Sequence, residues 1–100
     1  MNIVYQTQNS NVPSISTQAT ALASNPARLA WSIQNLGTNA LFVKLGDSAS
    51  TSSFHVVLKA GTGADDGLGG SLAQEAGAVY TGIVTVAGTS PRYTVTELAP

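Results

Sequence analysis

Asn25-Pro26-Ala27-Arg28-Leu29-Ala30-Trp31-Ser32-Ile33-Gln34-Asn35-Leu36-Gly37-Thr38-Asn39-Ala40-Leu41-Phe42-Val43-Lys44-Leu45-Gly46 is the stretch that decides the fold class. Leu29, Trp31 and Ile33 alternate with Ala30, Ser32 and Gln34, the two-residue period of a strand that buries one face. Leu41, Val43 and Leu45 repeat the pattern. Between the two runs, residues 35–39 supply Asn and Gly, which tolerate the positive φ of a tight turn. The spacing predicts a β-hairpin over residues 28–46.

The rest of the chain reads the same way. Val, Ile and Thr are plentiful, and Gly or Pro interrupts almost every longer window, so helix signals are weak. Residues 2–8 suit a first strand or an extended arm. Residues 12–17 suit a short strand, with Pro13 marking an edge or a strand start. Residues 19–24 are Ala-rich and read as one helical turn, stopped by Asn25-Pro26. Phe54, Val56 and Leu58 share one face of a strand over 53–59. Residues 60–70 carry five of the ten glycines and both adjacent aspartates, as a long mobile surface loop would. Residues 71–75 suit a short edge strand, and residues 78–87 and 92–98 a second hairpin around Gly88-Thr89-Ser90-Pro91. Seven or eight short strands at this spacing predict an all-β, single-domain antiparallel β-sandwich, jelly-roll-like, with no fixed-period repeat. Residues 1–11 form its arm or first strand, and residues 12–100 the sandwich. The expected core is Leu29, Trp31, Ile33, Leu41, Val43, Leu45, Phe54, Val56 and Leu58.

Composition bounds the function. One hundred residues allow one domain. Charged residues make up 9% of the chain, against about 25% in an average domain. Such a depletion of charge suits a chain whose surface is largely covered in an assembly. Net charge is −1, and Arg28, Lys44, Lys59 and Arg92 are the basic residues, so no stripe exists to neutralise phosphates. No apolar run approaches the ~18 residues of a membrane span. The opening Met1-Asn2-Ile3-Val4-Tyr5-Gln6 lacks the charged and apolar regions of a signal peptide, which points to a chain made and used without export. The absence of cysteine removes disulfides, thiol catalysis and thiolate metal sites together.

No motif assembles a reaction centre. Gly61-Thr62-Gly63-Ala64-Asp65-Asp66-Gly67 misses the dinucleotide fingerprint by one residue and lacks the lysine of a phosphate loop. It also lacks the bidentate Glu of a calcium loop. His55 has Ser52, Ser53 and Asp47 near it in sequence, but a triad needs convergence in space and an oxyanion hole. Trp31, Tyr5, Tyr80 and Tyr93 could stack a sugar, although Trp31 sits in an apolar face that suits core packing better. Ile3, Val4 and Tyr5 form a short apolar run ahead of a polar stretch. They are candidate intersubunit contacts if residues 1–11 add to a neighbour's strand edge, or part of a first strand on their own sheet. Arg28 and Glu97, each flanked by apolar residues, stand either as a structural ion pair tying early and late strands together or as two independent surface charges. No catalytic, metal or cofactor residue is assigned.

Asn25-Pro26-Ala27-Arg28, Ile33-Gln34-Asn35, the run from Leu41 to Gly46, Phe54, Leu58, Tyr80-Thr81-Gly82 and Glu97 together resemble small β-structured virion proteins of tailed bacteriophages. The resemblance covers residues 24–98. It implies a non-enzymatic virion component: a capsid cement or decoration protein on the capsid exterior, or a head-fibre or tail-associated subunit. Its implied partners are the major capsid protein and copies of itself, as a homotrimer, with no nucleic acid, membrane, cofactor or small-molecule substrate. The alternative is an adhesin, a carbohydrate- or receptor-binding module of a fibre or tail.

Overall fold

The computed structural model describes residues 6–13 through their backbone, and residues 18–75 and 77–100 in full. Eight strands form in chain order: β1 (Gln6–Pro13), β2 (Gln18–Leu22), β3 (Ala30–Asn35), β4 (Leu41–Leu45), β5 (Val56–Leu58), β6 (Ser71–Gln74), β7 (Val84–Ala87) and β8 (Arg92–Ala99). They build two four-stranded antiparallel sheets, ordered β1-β8-β3-β6 and β2-β7-β4-β5. The protein is an all-β sandwich, and no helix forms among the described residues.

The alternation read from sequence sets the inner faces. Trp31 and Ile33 from β3, Tyr93 and Val95 from β8, Leu41 and Val43 from β4, and Val84 and Val86 from β7 are each no more than 2% exposed. Leu22 and Leu58 complete the buried cluster, and Leu72, Val79 and Tyr80 pack on its margin. Burial of this set is the main favourable term in folding a chain without cysteine.

Both expected hairpins are corrected. β3 lies in the first sheet, beside β8 and β6, and β4 lies in the second, beside β7 and β5. Residues 36–40 therefore cross between sheets rather than turn within one. The same holds for β7 and β8, whose link at residues 88–91 crosses the sandwich. In each case the two runs bury their apolar faces against each other instead of pairing edge to edge. Gly88 shows why the second crossing is tight. Its φ is +155°, and a Cβ there would lie 2.7 Å from the Ala40 carbonyl oxygen of the neighbouring crossing. The within-sheet connection is β4 to β5, with Leu41 opposite Leu58 and Val43 opposite Val56.

Three local expectations also change. Residues 18–22 are an edge strand paired to β7, not a helical turn, because Ala19 and Ala21 pack on the core while Thr20 faces out. A register shift between Thr20 and Leu22 marks a bulge that returns Leu22 to the core. Phe54 is 41% exposed, because the strand begins only at Val56 and the alternation does not extend back to it. Leu29, Leu45 and Val56 are half-buried rather than fully enclosed. The loop over 60–70 is held down by backbone bonds. Gly61 N donates to Gly37 O (3.0 Å), Asp65 N to Leu36 O (2.8 Å) and Gly70 N to Lys59 O (2.8 Å). Gly69 has no room for a side chain, since a Cβ would sit 2.0 Å from the Asn35 carbonyl oxygen.

At the N-terminus, β1 pairs with β8 over its whole length, from Gln6 opposite Ala99 to Pro13 opposite Arg92. It runs through the boundary placed after residue 11. Ile3, Val4 and Tyr5 lie outside the described residues.

Trp31 is 1% exposed at the centre of the first sheet. Trp31→Ala should cost about 3–5 kcal/mol in denaturant unfolding. Native Trp31 fluorescence should resist quenching by acrylamide and become quenchable on unfolding.

Candidate functional site

The polar groups that could carry chemistry collect at the two ends of the sandwich and on the outer face of the second sheet. At the end where β3 begins, Arg28 and Glu97 meet. The Arg28 side chain is fully enclosed, and its Nε lies 3.4 Å from Glu97 Oε1. Arg28 Nη1 donates to the carbonyls of Tyr80 (2.8 Å) and Gly82 (3.0 Å), and Nη2 donates to Ala23 O (2.6 Å). Asn25 Nδ2 donates to the same Glu97 oxygen. Arg28 Nε is buried without a hydrogen bond of its own, so its compensation is electrostatic. A planar guanidinium can bind three carbonyls from separate segments at once, which an ammonium cannot. Glu97 is inward because it continues the series Tyr93, Val95, Glu97 at period two. The same end holds Gln74, whose Oε1 accepts from Trp31 Nε1 (2.9 Å) and from Tyr80 N (2.8 Å). These donors and acceptors are directed at one another. The cluster is a clamp and offers no group to a substrate.

At the other end of β3, Asn35 is 1% exposed. Its Nδ2 donates to Asn39 O (2.8 Å) and Leu58 O (3.1 Å), with Lys59 O at 3.3 Å, and its Oδ1 accepts from Gly37 N (2.9 Å). One amide thus joins the β3–β4 crossing to the end of β5. Nearby, Asp65 adopts a left-handed backbone (φ 59°) and forms a two-point pair with Arg92, both contacts 2.6 Å. Asp66 accepts from Gly63 N (2.7 Å) and Leu68 N (2.9 Å). The two aspartates therefore serve the loop itself and do not form an ion site. Among the described residues, no group of three or more His, Asp or Glu converges on a metal position. The Arg92 hydrogen bond holds the Asp65 carboxyl below its ordinary value of 3.8, and the Gly63 and Leu68 amides do the same for Asp66.

The residues around His55 do not form a triad. His55 Nδ1 accepts from the backbone of Leu45 (3.0 Å). Ser53 Oγ instead lies 2.8 Å from Lys44 Nζ, which donates to it. Asp47 Oδ1 accepts from Ser48 N in its own turn. A protonated ammonium donating to a hydroxyl does not activate it as a nucleophile. Trp31 packs in the core, as its apolar strand face suggests, and Tyr93 joins it, at 1% and 2% exposure, so neither offers a face for sugar stacking. Burial also pushes the Tyr93 hydroxyl pKa up.

The remaining feature is a flap. Thr85 faces away from the core yet is 1% exposed, because residues 46–53 fold over the outer face of the second sheet. Its hydroxyl donates to Gly46 O (2.7 Å) and accepts from Ala49 N (3.1 Å). Beside the flap, Phe42 and Phe54 meet edge-on, ring centroids 4.9 Å apart. On its other side lies a cavity of about 420 Å³ lined by Gln18, Ala49, Ser50, Thr51, Ala87, Gly88 and Thr89. Sequence reading missed Asn35, Gln74 and Thr85. For Asn35 the signal was present, since it extends the inward series Trp31, Ile33, Asn35.

Two outcomes follow from these contacts. Thr85→Val keeps the shape but strands the Ala49 amide. It should cost about 1–3 kcal/mol and speed hydrogen exchange at Ala49. The Asp65 and Asp66 carboxyls lie lower in the folded chain than in the unfolded one. Their contribution is therefore complete above the ordinary value of 3.8 and is lost as pH falls through the lowered folded values. Thermal melts of D65N taken down through that range should show a shallower acid decline than the parent.

Comparison with family models, with curated proteins and with solved structures finds no match for this chain.

Proposed function

We propose that this chain is a non-enzymatic structural subunit of a virion, a cement or decoration protein that binds the major capsid protein on the outside of a phage head and associates with copies of itself as a homotrimer. The observation that carries the reading is the placement of exposed apolar surface. The large hydrophobic side chains exposed among the described residues are Phe54 (41%), Val57 (45%) and Leu68 (66%). All three fall within residues 54–68: Phe54 and Val57 lie beside Phe42 on the outer face of the second sheet, and Leu68 lies on the loop that follows β5. Exposed apolar side chains of this size are candidates for an interaction surface. Beside this stretch Arg92 and Asp65 are paired with each other, and Lys59 is the exposed cation within it. Tethering Asp65, Asp66 and Gly69 holds Leu68 on a defined loop, which lowers the entropic cost of docking it.

Two further features support the proposal. The sequence resemblance of residues 24–98 is to virion proteins. The strand orders β1-β8-β3-β6 and β2-β7-β4-β5 favour reading the sandwich as a jelly roll, an architecture used in viral capsids and in lectins alike. Architecture by itself does not choose between them. A cement protein needs no chemistry. Each copy adds buried area across neighbouring shell subunits, and repetition over the shell multiplies the effect. The adhesin reading finds support in the neutral cavity beside the flap.

The proposal is tested on particles. Virions assembled with the chain present should carry it in many copies on the head surface by electron microscopy. Particles lacking it should disrupt at a lower temperature. A variant with Phe54→Ser and Leu68→Ser should still fold, at a melting temperature lowered by loss of the Phe42 contact, but sediment as a 10.1 kDa monomer and fail to bind heads. A chain absent from purified heads, or a double variant that binds them like the parent, would contradict the proposal.

A further inference from the structure

The cavity beside the flap lies on the outer face of the second sheet, at the opposite end of a cross-strand row from Val57, and its lining has a consistent chemistry. Its position follows from register. Val84 and Val86 point inward, so Thr85 and Ala87 stand on the outer face of the second sheet. Gln18 of β2 and Phe42 of β4 lie opposite Ala87 on either side, and Val57 lies opposite Phe42. This gives one row, Gln18-Ala87-Phe42-Val57, running across the face. The flap rises over the row at Ala87, which is 3% exposed although it faces out. Ala49, Ser50 and Thr51 of the flap, with Gly88 and Thr89 of the crossing to β8, line an open groove over Ala87 and Gln18.

The cavity holds about 420 Å³, within the range of small-ligand sites. No charged side chain lines it. An ionic ligand would be desolvated there without a counter-charge, which is costly. The lining instead offers the hydroxyls of Thr51 and Thr89, with the Ser50 hydroxyl shared with Ser52 (3.2 Å) and Gln18 at its edge. Hydroxyls donate and accept, and an amide does both at separate atoms. The Ala49 and Ala87 methyls add a small apolar floor. A ligand that matches such a wall is neutral, presents many groups that both donate and accept, and has a C–H face. We propose that this cavity binds a single neutral sugar unit of a glycan. The walls are positioned by the Thr85 hydroxyl, which fixes the flap at Gly46 and Ala49. In this site Thr85 is a positioning residue, and Thr51 and Thr89 contact the sugar.

The test is an amide-shift titration of the full chain by NMR. The probes are the methyl glycosides of glucose, galactose, mannose and N-acetylglucosamine, with methyl glucuronide as the charged control. At least one neutral glycoside should give saturable shifts centred on residues 18, 49–51 and 87–89, with Kd on the order of 1 mM. Thr51 is exposed on the flap, so Thr51→Trp should fill the mouth without disturbing the core. It should weaken binding at least about tenfold while leaving the melting temperature unchanged. Thr85→Val should loosen the flap and weaken the same titration. The proposal is overturned if no neutral glycoside gives saturable shifts at these residues. It is also overturned if the glucuronide binds there as well as the neutral sugars, or if folded Thr51→Trp binds like the parent. A failed particle experiment would leave these readouts unaffected, because they need neither capsid nor trimer.

Discussion

The buried Asn35 side chain is the contact on which the arrangement of loops depends. Among β2 to β8, every connection except β4 to β5 carries the chain from one sheet to the other. Each crossing brings backbone amides and carbonyls to the end of an apolar core, where unpaired groups are costly. Asn35 answers this at one end with a single amide that serves residues 37, 39, 58 and 59. Its backbone amide also donates to Gly70 O (2.9 Å), so the long loop closes onto the same residue. Arg28 answers it at the other end, where three carbonyls from residues 23, 80 and 82 converge on one guanidinium. Both groups flank β3, and β3 is paired on both sides, to β8 and to β6. A buried ion pair is weak evidence of net stability, but removing one partner of such a pair costs about 3–5 kcal/mol. Its effect here is to specify which loops meet.

Much of this was legible along the chain, and the limits have physical causes. Period-two alternation identified β3 and β4 and placed Trp31, Ile33, Leu41 and Val43 inward. It could not say whether two adjacent strands pair edge to edge or face to face. Asn and Gly at residues 35–39 serve a tight turn and a crossing equally well, since both need the same backbone freedom. The choice is made by long-range pairing with β7 and β8, which local sequence does not encode. Residues 19–24 were misread because Ala favours helix locally, while pairing to β7 overrides that preference. Phe54 was misread because alternation was carried past the strand end at Val56. The clearest unused signal was polar residues continuing an apolar series: Asn35 after Ile33, Gln74 after Leu72, Glu97 after Val95. In a sandwich these positions turn inward at the sheet ends and find partners there.

The functional picture follows from how little polar chemistry is left over. Asp65, Asp66, Arg28 and Glu97 are spent on the fold, and Ser53 and His55 are turned to Lys44 and to the backbone. The sandwich holds its loops in fixed positions. The outer face of the second sheet then presents Phe54 and Val57 beside a neutral groove, and the long loop presents Leu68. The proposed assembly role draws on these surfaces, and both depend on ordered loops.

The most direct test of this account is native-state amide hydrogen exchange in Asn35→Ala. If Asn35 joins the β3–β4 crossing, the end of β5 and the long loop, the amides of Gly37, Gly61, Asp65 and Gly70 should lose protection together. Those of Leu29 and Asn25 at the Arg28 end should keep theirs. Protection at Gly61, Asp65 and Gly70 that survives the substitution would contradict the account.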